Sequence, residues 1–259
     1  MLKRKLSAAS YVRKSRLIVS LDIAATVPIG GGPLLQSERD RLERRALSIV
    51  NDTSEYAAAF KINRHLVLPL GLFDHIPRII DAIHDQGLPV IMDCKINDIG
   101  DTNAVITRYY LDAGFDAVIA NPIIGWEGGL DAVFHIAREM KRGVILLCYM
   151  SHPAASEGYG LEIAVGKKER RPLYRIFAER ALQWDADGVI VGATHLNRIR
   201  EVRKILGDEI PILSPGVGAQ GGSAKEAIDA GASYVIVGRS IVNADDPSSV
   251  ARQIARETW

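Results

Sequence analysis

Eight short apolar runs, each followed by a stretch of helical periodicity, set the strongest limit on what this chain can fold into. The runs fall at 17–21, 57–60, 89–92, 117–120, 144–148, 188–191, 210–213 and 234–237. The amphipathic stretches fall at 34–51, 74–86, 102–113, 128–140, 173–184, 196–206, 223–230 and 247–257. A strand that is apolar at nearly every position must be covered on both faces, as in a parallel sheet wrapped by helices. Eight such units in 259 residues fit a closed (β/α)8 TIM barrel, which typically needs about 250. The same periodicity also allows an open, doubly wound sheet. Glycines at 87, 114, 143, 207 and 231 follow the expected helices, where a left-handed cap is favoured. No linker or low-complexity tract breaks the pattern, so residues 17–259 read as one α/β barrel domain behind a basic segment at 1–16.

That segment carries Lys3, Arg4, Lys5, Arg13, Lys14 and Arg16 and no acid. Its charge resembles an organellar targeting peptide. The preferred reading is a short N-terminal helix closing the barrel bottom, with Leu2, Leu6, Ala9 and Val12 on or near one face. The strand at Leu17 follows at once and leaves no spacer for cleavage. A net charge of +1 gives no global field for nucleic acid or an acidic membrane. No apolar run approaches the roughly 18 residues of a membrane span. Cys94 and Cys148 lie far apart and match no metal spacing, which suits a reducing, cytoplasmic compartment.

In a barrel the reactive groups sit where strands end. Asp22 ends the first strand and Lys61 the second. The third gives Asp93 and Lys95, placed on one face by strand alternation, with Asp98 in the turn beyond. Two ammoniums interleaved with carboxylates neutralise one another, so no metal is needed to balance the charge. Such a network keeps a lysine protonated and poised as a proton donor, a layout suited to decarboxylation. The seventh strand runs into SPGVGAQGG (214–222) and the eighth into Gly238-Arg239-Ser240. Glycine-rich backbone, the Gln220 amide and the Arg239 guanidinium suit a phosphate there. Taken alone, the glycines could equally serve tight turns.

The pieces SLDIA (20–24), FKI (60–62), MDCKINDIGDTN (92–103), MSHP (150–153), VGAT (191–194), SPGVGAQGG (214–222) and IVGRSI (236–241) resemble the orotidine 5′-monophosphate (OMP) decarboxylase family, most closely its archaeal branch. The resemblance runs in order through all eight strands. It implies a metal-free, cofactor-free conversion of OMP to UMP and CO2 in pyrimidine biosynthesis. Lys61, Asp93, Lys95 and Asp98 would form the catalytic charge network, with Lys95 the proton donor to C6 and Asp93 against the departing carboxylate. Asp22 and Lys61 would meet ribose hydroxyls, and Ser151 the pyrimidine amide. Gln220, Gly238 and Arg239 would grip phosphate, with Pro215 in the substrate-binding set and the 214–222 loop closing as a lid. Asp98, Ile99 and Thr102 would cross a homodimer interface into the partner's site.

The nearest alternative is a magnesium-dependent sugar-phosphate decarboxylase or aldolase of the same superfamily. It shares D-x-K-x-x-D but carries an acid where this chain has Lys61. A non-catalytic nucleotide-binding barrel would have no use for Lys95 between Asp93 and Asp98. The sequence departs from the family at His195, where arginine is more usual. The 154–171 segment forms a long loop after strand five. Its basic end (Lys167, Lys168, Arg170 and Arg171) reads as a solvated helix start.

Overall fold

In the computed structural model, which describes residues 1–24, 34–165 and 169–259, the apolar runs form a closed parallel barrel. Its first five strands are β1 (Leu17–Ser20), β2 (Ala59–Asn63), β3 (Val90–Ile96), β4 (Ala117–Ala120) and β5 (Gly143–Tyr149). A separate antiparallel hairpin follows, β6 (Glu162–Val165) with β7 (Glu169–Pro172). The barrel then continues with β8 (Gly188–Val191), β9 (Ile212–Pro215) and β10 (Tyr234–Val237). Because β1 pairs with both β2 and β10, the barrel has no sheet edge, which excludes the open sheet.

The helices are α1 (Leu2–Arg13), α2 (Gln36–Thr53), α3 (Arg64–Leu70), α4 (Ile76–Asp85), α5 (Gly100–Asp112) and α6 (Asp131–Glu139). They continue as α7 (Ala155–Gly158), α8 (Leu173–Gln183), α9 (Leu196–Leu206), α10 (Ala224–Asp229), α11 (Arg239–Val242) and α12 (Pro247–Thr258). Among the described residues, no helix is long and apolar enough to cross a membrane.

Strand alternation divides the core in two. Ile18, Ala59, Ile91, Ala117, Ile145 and Leu213 fill the barrel. Their neighbours, such as Leu17, Phe60, Val90 and Val118, face outward against Ile79, Ile83 and Phe177 of the helices. Leu2 and Leu6 of α1 join the inner set, so the helix plugs the bottom of the barrel. Gly143 makes room for it, since a Cβ there would lie 2.7 Å from that of Leu2. Ala9 already belongs to the outer layer, and Val12 is 71% exposed rather than on the packed face. In the last turn of α1 Tyr11 is exposed as well, while Ser10 is buried.

Asp116, which precedes β4 and is 2% exposed, ties this end together. Its carboxylate accepts from Lys5 Nζ (2.6 Å), His84 Nε2 (2.8 Å), Arg142 (2.8 Å) and the Val90 N–H (2.9 Å). Burial alone would raise its pKa, but these donors outweigh burial and bring it down to about 2.

The 154–171 segment is not a plain loop. Arg170 and Arg171 lie on β7, opposite Ala164 and Ile163, and α8 starts only at Leu173. Lys167 and Lys168 lie outside the described residues.

Candidate active site

The inward face of the barrel changes chemistry one layer above its apolar core. Two residues beyond Ile18, Ala59 and Ile91 stand Ser20, Lys61 and Asp93, with Asn63 one step further along β2. Parallel register sets Ser20 beside Lys61 and Asn63 beside Asp93. The resulting pocket has an apolar floor of Ile119, Leu147, Ile190 and Ile236 beneath a polar rim.

On one wall the polar groups form a continuous chain. Lys95 Nζ donates to Asp93 Oδ1 (2.5 Å), and Lys61 Nζ donates to Asp93 Oδ2 (2.8 Å) and Asn63 Oδ1 (2.5 Å). The Asn63 amide donates to Asp22 Oδ1, which also accepts from Ser20 Oγ at 2.7 Å. Lys61 is only 5% exposed, and these acceptors supply the hydrogen bonds that water cannot. Burial pushes the Asp93 carboxyl upward, yet the Lys61 and Lys95 ammoniums beside it leave it below the usual carboxylate range. Asp93 is thus a fixed anion shared by two cations.

Asp93 and Lys95 both line the pocket while Met92, Cys94 and Ile96 pack in the outer layer, as alternation requires, although β3 is not regular here. The register of β3 against β4 shifts between Met92 and Ile96, and Lys95 takes a left-handed φ of 49°. Bulges of this kind re-aim a side chain beside a site. A lysine in that conformation stores about 1–3 kcal/mol of backbone strain. From this conformation its ammonium donates to Asp93.

Across the pocket lie the loops after β9 and β10. The first is folded on itself, with Gly218 N–H donating to Gly222 O (2.9 Å) and Gly222 N–H to Gly216 O (3.0 Å). It is pinned to α11 by the Ala219 N–H, which donates to Ser240 Oγ at 3.0 Å. Gly216 has a φ of 100°, and a Cβ there would press on Ser151 and Gln220 at 2.9 and 3.0 Å. Glycine at 216 therefore meets both a turn requirement and a close approach. Gly238 lets β10 end against Asp22, whose carboxylate a Cβ would strike. Arg239 and Gln220 are exposed at this rim.

Nine of the expected site residues therefore line one pocket: Asp22, Lys61, Asp93, Lys95, Ser151, Pro215, Gln220, Gly238 and Arg239. Asp98, Ile99 and Thr102 do not. They sit in the turn into α5 and its first residues, with Asp98 exposed and Ile99 67% exposed. Asn103, fully buried, holds this turn by donating to Asp98 O (2.5 Å) and Gly129 O (3.0 Å).

Ser20 and Asn63 also line the pocket and had no place in the expected set. Extending the two-residue period past the apolar part of β1 and β2 would have found both. Among the described residues, the one grouping of His, Asp and Glu close enough to share a cation is Asp40, Glu43 and His75. It lies between α2 and the start of α4, outside the pocket, and Arg78 already pairs with Glu43.

The model of the family described as orotidine 5′-phosphate decarboxylase / HUMPS matches residues 15–254. The chain belongs to that family. An orotidine 5′-phosphate decarboxylase of Methanosarcina acetivorans is 41% identical over 212 residues, covering 82% of this chain and 88% of that protein. One from Pyrococcus abyssi is 40% identical over 215 residues, covering 83% and 93%. The crystal structure of the Methanocaldococcus jannaschii decarboxylase, complexed with the inhibitor BMP, superposes with a TM-score of 0.76. It is 29% identical and covers 94% of this chain and 98% of its own. Leishmania donovani UMP synthase superposes with a TM-score of 0.82 at 27% identity over 98% of this chain, which spans 55% of that longer protein.

Proposed function

We propose that this chain decarboxylates orotidine 5′-monophosphate to uridine 5′-monophosphate and CO2, as a cytoplasmic homodimer. The observation that carries this reading is Asp93, bridged by Lys61 and Lys95 above an apolar floor and facing Arg239 across the pocket. A phosphate held by Arg239, Gln220 and the 214–222 loop would anchor the nucleotide. Asp22 and Lys61 would then meet ribose hydroxyls, and Ser151 the edge of the pyrimidine. This pose lays C6 and its carboxylate against Lys95 and Asp93.

The bond from C6 to the carboxylate breaks, CO2 leaves, and the electron pair stays on C6. The Lys95 ammonium, close by in a pocket that closure shields from water, stabilises that carbanion and delivers a proton to it. Phosphoribosyl binding supplies the energy to close the loop and exclude water. Neither metal nor cofactor enters these steps. Lys61 at the position where the magnesium-dependent alternative carries an acid favours this reaction over that one.

The test is loss of orotate absorbance in a spectrophotometric assay with orotidine 5′-monophosphate, with and without a chelator. Turnover should be unaffected by chelation. Lys95→Ala should lower kcat by at least the roughly 10²–10⁴-fold of a general acid, while uridine 5′-monophosphate still binds within a modest factor. Near-wild-type turnover in that variant would overturn the assignment of Lys95.

A further inference from the structure

Asn63 is the last residue of β2, two beyond Lys61 on the inward face and opposite Asp93 in the strand register. Its carboxamide oxygen accepts from Lys61 Nζ at 2.5 Å, and its amide nitrogen donates to Asp22. Neither role can be exchanged, because an ammonium only donates and a carboxylate only accepts. The amide is locked in one orientation by its neighbours.

Lys61 lies within reach of two carboxylates, 2.8 Å from Asp93 and 4.0 Å from Asp22. The amide stands between Lys61 and the nearer oxygen of Asp22. It offers the ammonium a neutral acceptor on that side and occupies, together with Ser20 Oγ, the Oδ1 that would compete for it. Asp22 Oδ2 is left on the side of Gly238, facing the open pocket. Without the amide, Lys61 can close directly onto Asp22. Asp93 would then lose one of its two cations, and Asp22 would be tied up in an internal ion pair.

We propose that Asn63 is a positioning residue of the decarboxylation site, holding Lys61 on Asp93 and leaving one Asp22 oxygen free for a substrate hydroxyl. This rests on the reaction proposed above. Aspartate at the same place would still accept from Lys61 but would repel Asp22. Only when protonated could it both accept from one and donate to the other, as the amide does. The charged groups around position 63 are Asp22, Lys61, Asp93 and Lys95, with His65 at the start of α3 within electrostatic reach of all four.

Two variants test the assignment. Asn63→Ala should lower kcat/KM about ten- to hundredfold, the scale of losing hydrogen bonds to charged groups, and should weaken uridine 5′-monophosphate binding in calorimetry. Asn63→Asp, of nearly the same shape, should be similarly impaired at pH 8. It should recover toward wild type as the pH falls to about 5, because protonation restores the donor. Expressing activity as the ratio of variant to wild type at each pH removes the titration of His65 from the comparison. Wild-type kcat/KM in Asn63→Ala, or an Asn63→Asp ratio that does not change with pH, would overturn the proposal. If the wild type binds uridine 5′-monophosphate but leaves orotidine 5′-monophosphate intact, the reaction is wrong. The ratio of nucleotide affinities between Asn63→Ala and wild type then still decides the role of Asn63, with equal affinities rejecting it. A wild type that binds neither nucleotide rejects both.

Discussion

Asp93 accepts from two ammoniums at once, and the rest of the pocket's electrostatics follows from that sharing. A lone buried lysine would be driven toward its neutral form, and a lone buried aspartate toward its protonated one. Between Lys61 and Lys95, Asp93 is held below the usual carboxylate range, and in the proposed reaction Lys95 would give up a proton while Lys61 still bonds Asp93. Arg239 works differently. It stands exposed at the rim, so its charge is available to an incoming phosphate. Arg239→Ala should therefore raise KM and also lower kcat, since in the proposed reaction phosphate binding closes the site. A kcat/KM fall of about ten- to hundredfold is expected for losing a charge-assisted bond, read in steady-state kinetics. An unchanged kcat/KM would remove Arg239 from the phosphate grip.

At the scale of the elements, the two ends of the barrel do different work. The bottom is built for stability. There α1, α4, the start of β3 and the loop entering β5 converge on Asp116, whose pKa is held at about 2 against an ordinary 3.8. A carboxyl depressed in the folded state stabilises the protein fully above its unfolded pKa, and that stabilisation fades as pH falls from about 3.8 toward 2. The shift corresponds to roughly 2 kcal/mol. Asp116→Asn should lower the melting temperature at pH 7 by about 4–8 °C for a chain of this size. The gap between variant and wild type should narrow when both are melted near pH 2. A constant gap would mean that the carboxylate's charge is not what stabilises this end.

The strand pattern was legible because an apolar run is what a doubly covered strand demands, and 117–120, 188–191 and 234–237 agree with the structure to the residue. Past the apolar runs the inward positions of β2 and β3 turn polar, where charge at the strand ends marked Lys61, Asp93 and Lys95 but the neutral Asn63 gave no such mark. The bulge at Lys95 left no mark in the sequence, since it is a backbone dihedral rather than a composition. The β6–β7 hairpin was also illegible: it is held by strand pairing and buries little on either face, so no hydrophobic period announces it.

At the scale of the whole molecule, one pocket gathers nine of the twelve expected residues and leaves Asp98, Ile99 and Thr102 outside it. A side of the barrel close to them is unusually apolar for a surface. Phe73, between α3 and α4, packs its ring edgewise on Tyr109 of α5 at 6.0 Å, yet the two are 61% and 52% exposed. Leu68 and Val105 are exposed as well. Exposed apolar surface of this kind suits a second copy of the chain, which would bring Asp98 to the neighbouring pocket across a two-fold axis. Mixing two inactive variants tests this arrangement. In a dimer of Lys95→Ala with Asp98→Ala, one pocket would lack both groups and the other would be complete. Statistical exchange makes half the dimers mixed, so about a quarter of wild-type activity should return. If Asp98 served the pocket of its own chain, every pocket in the mixture would lack one group and no activity would return.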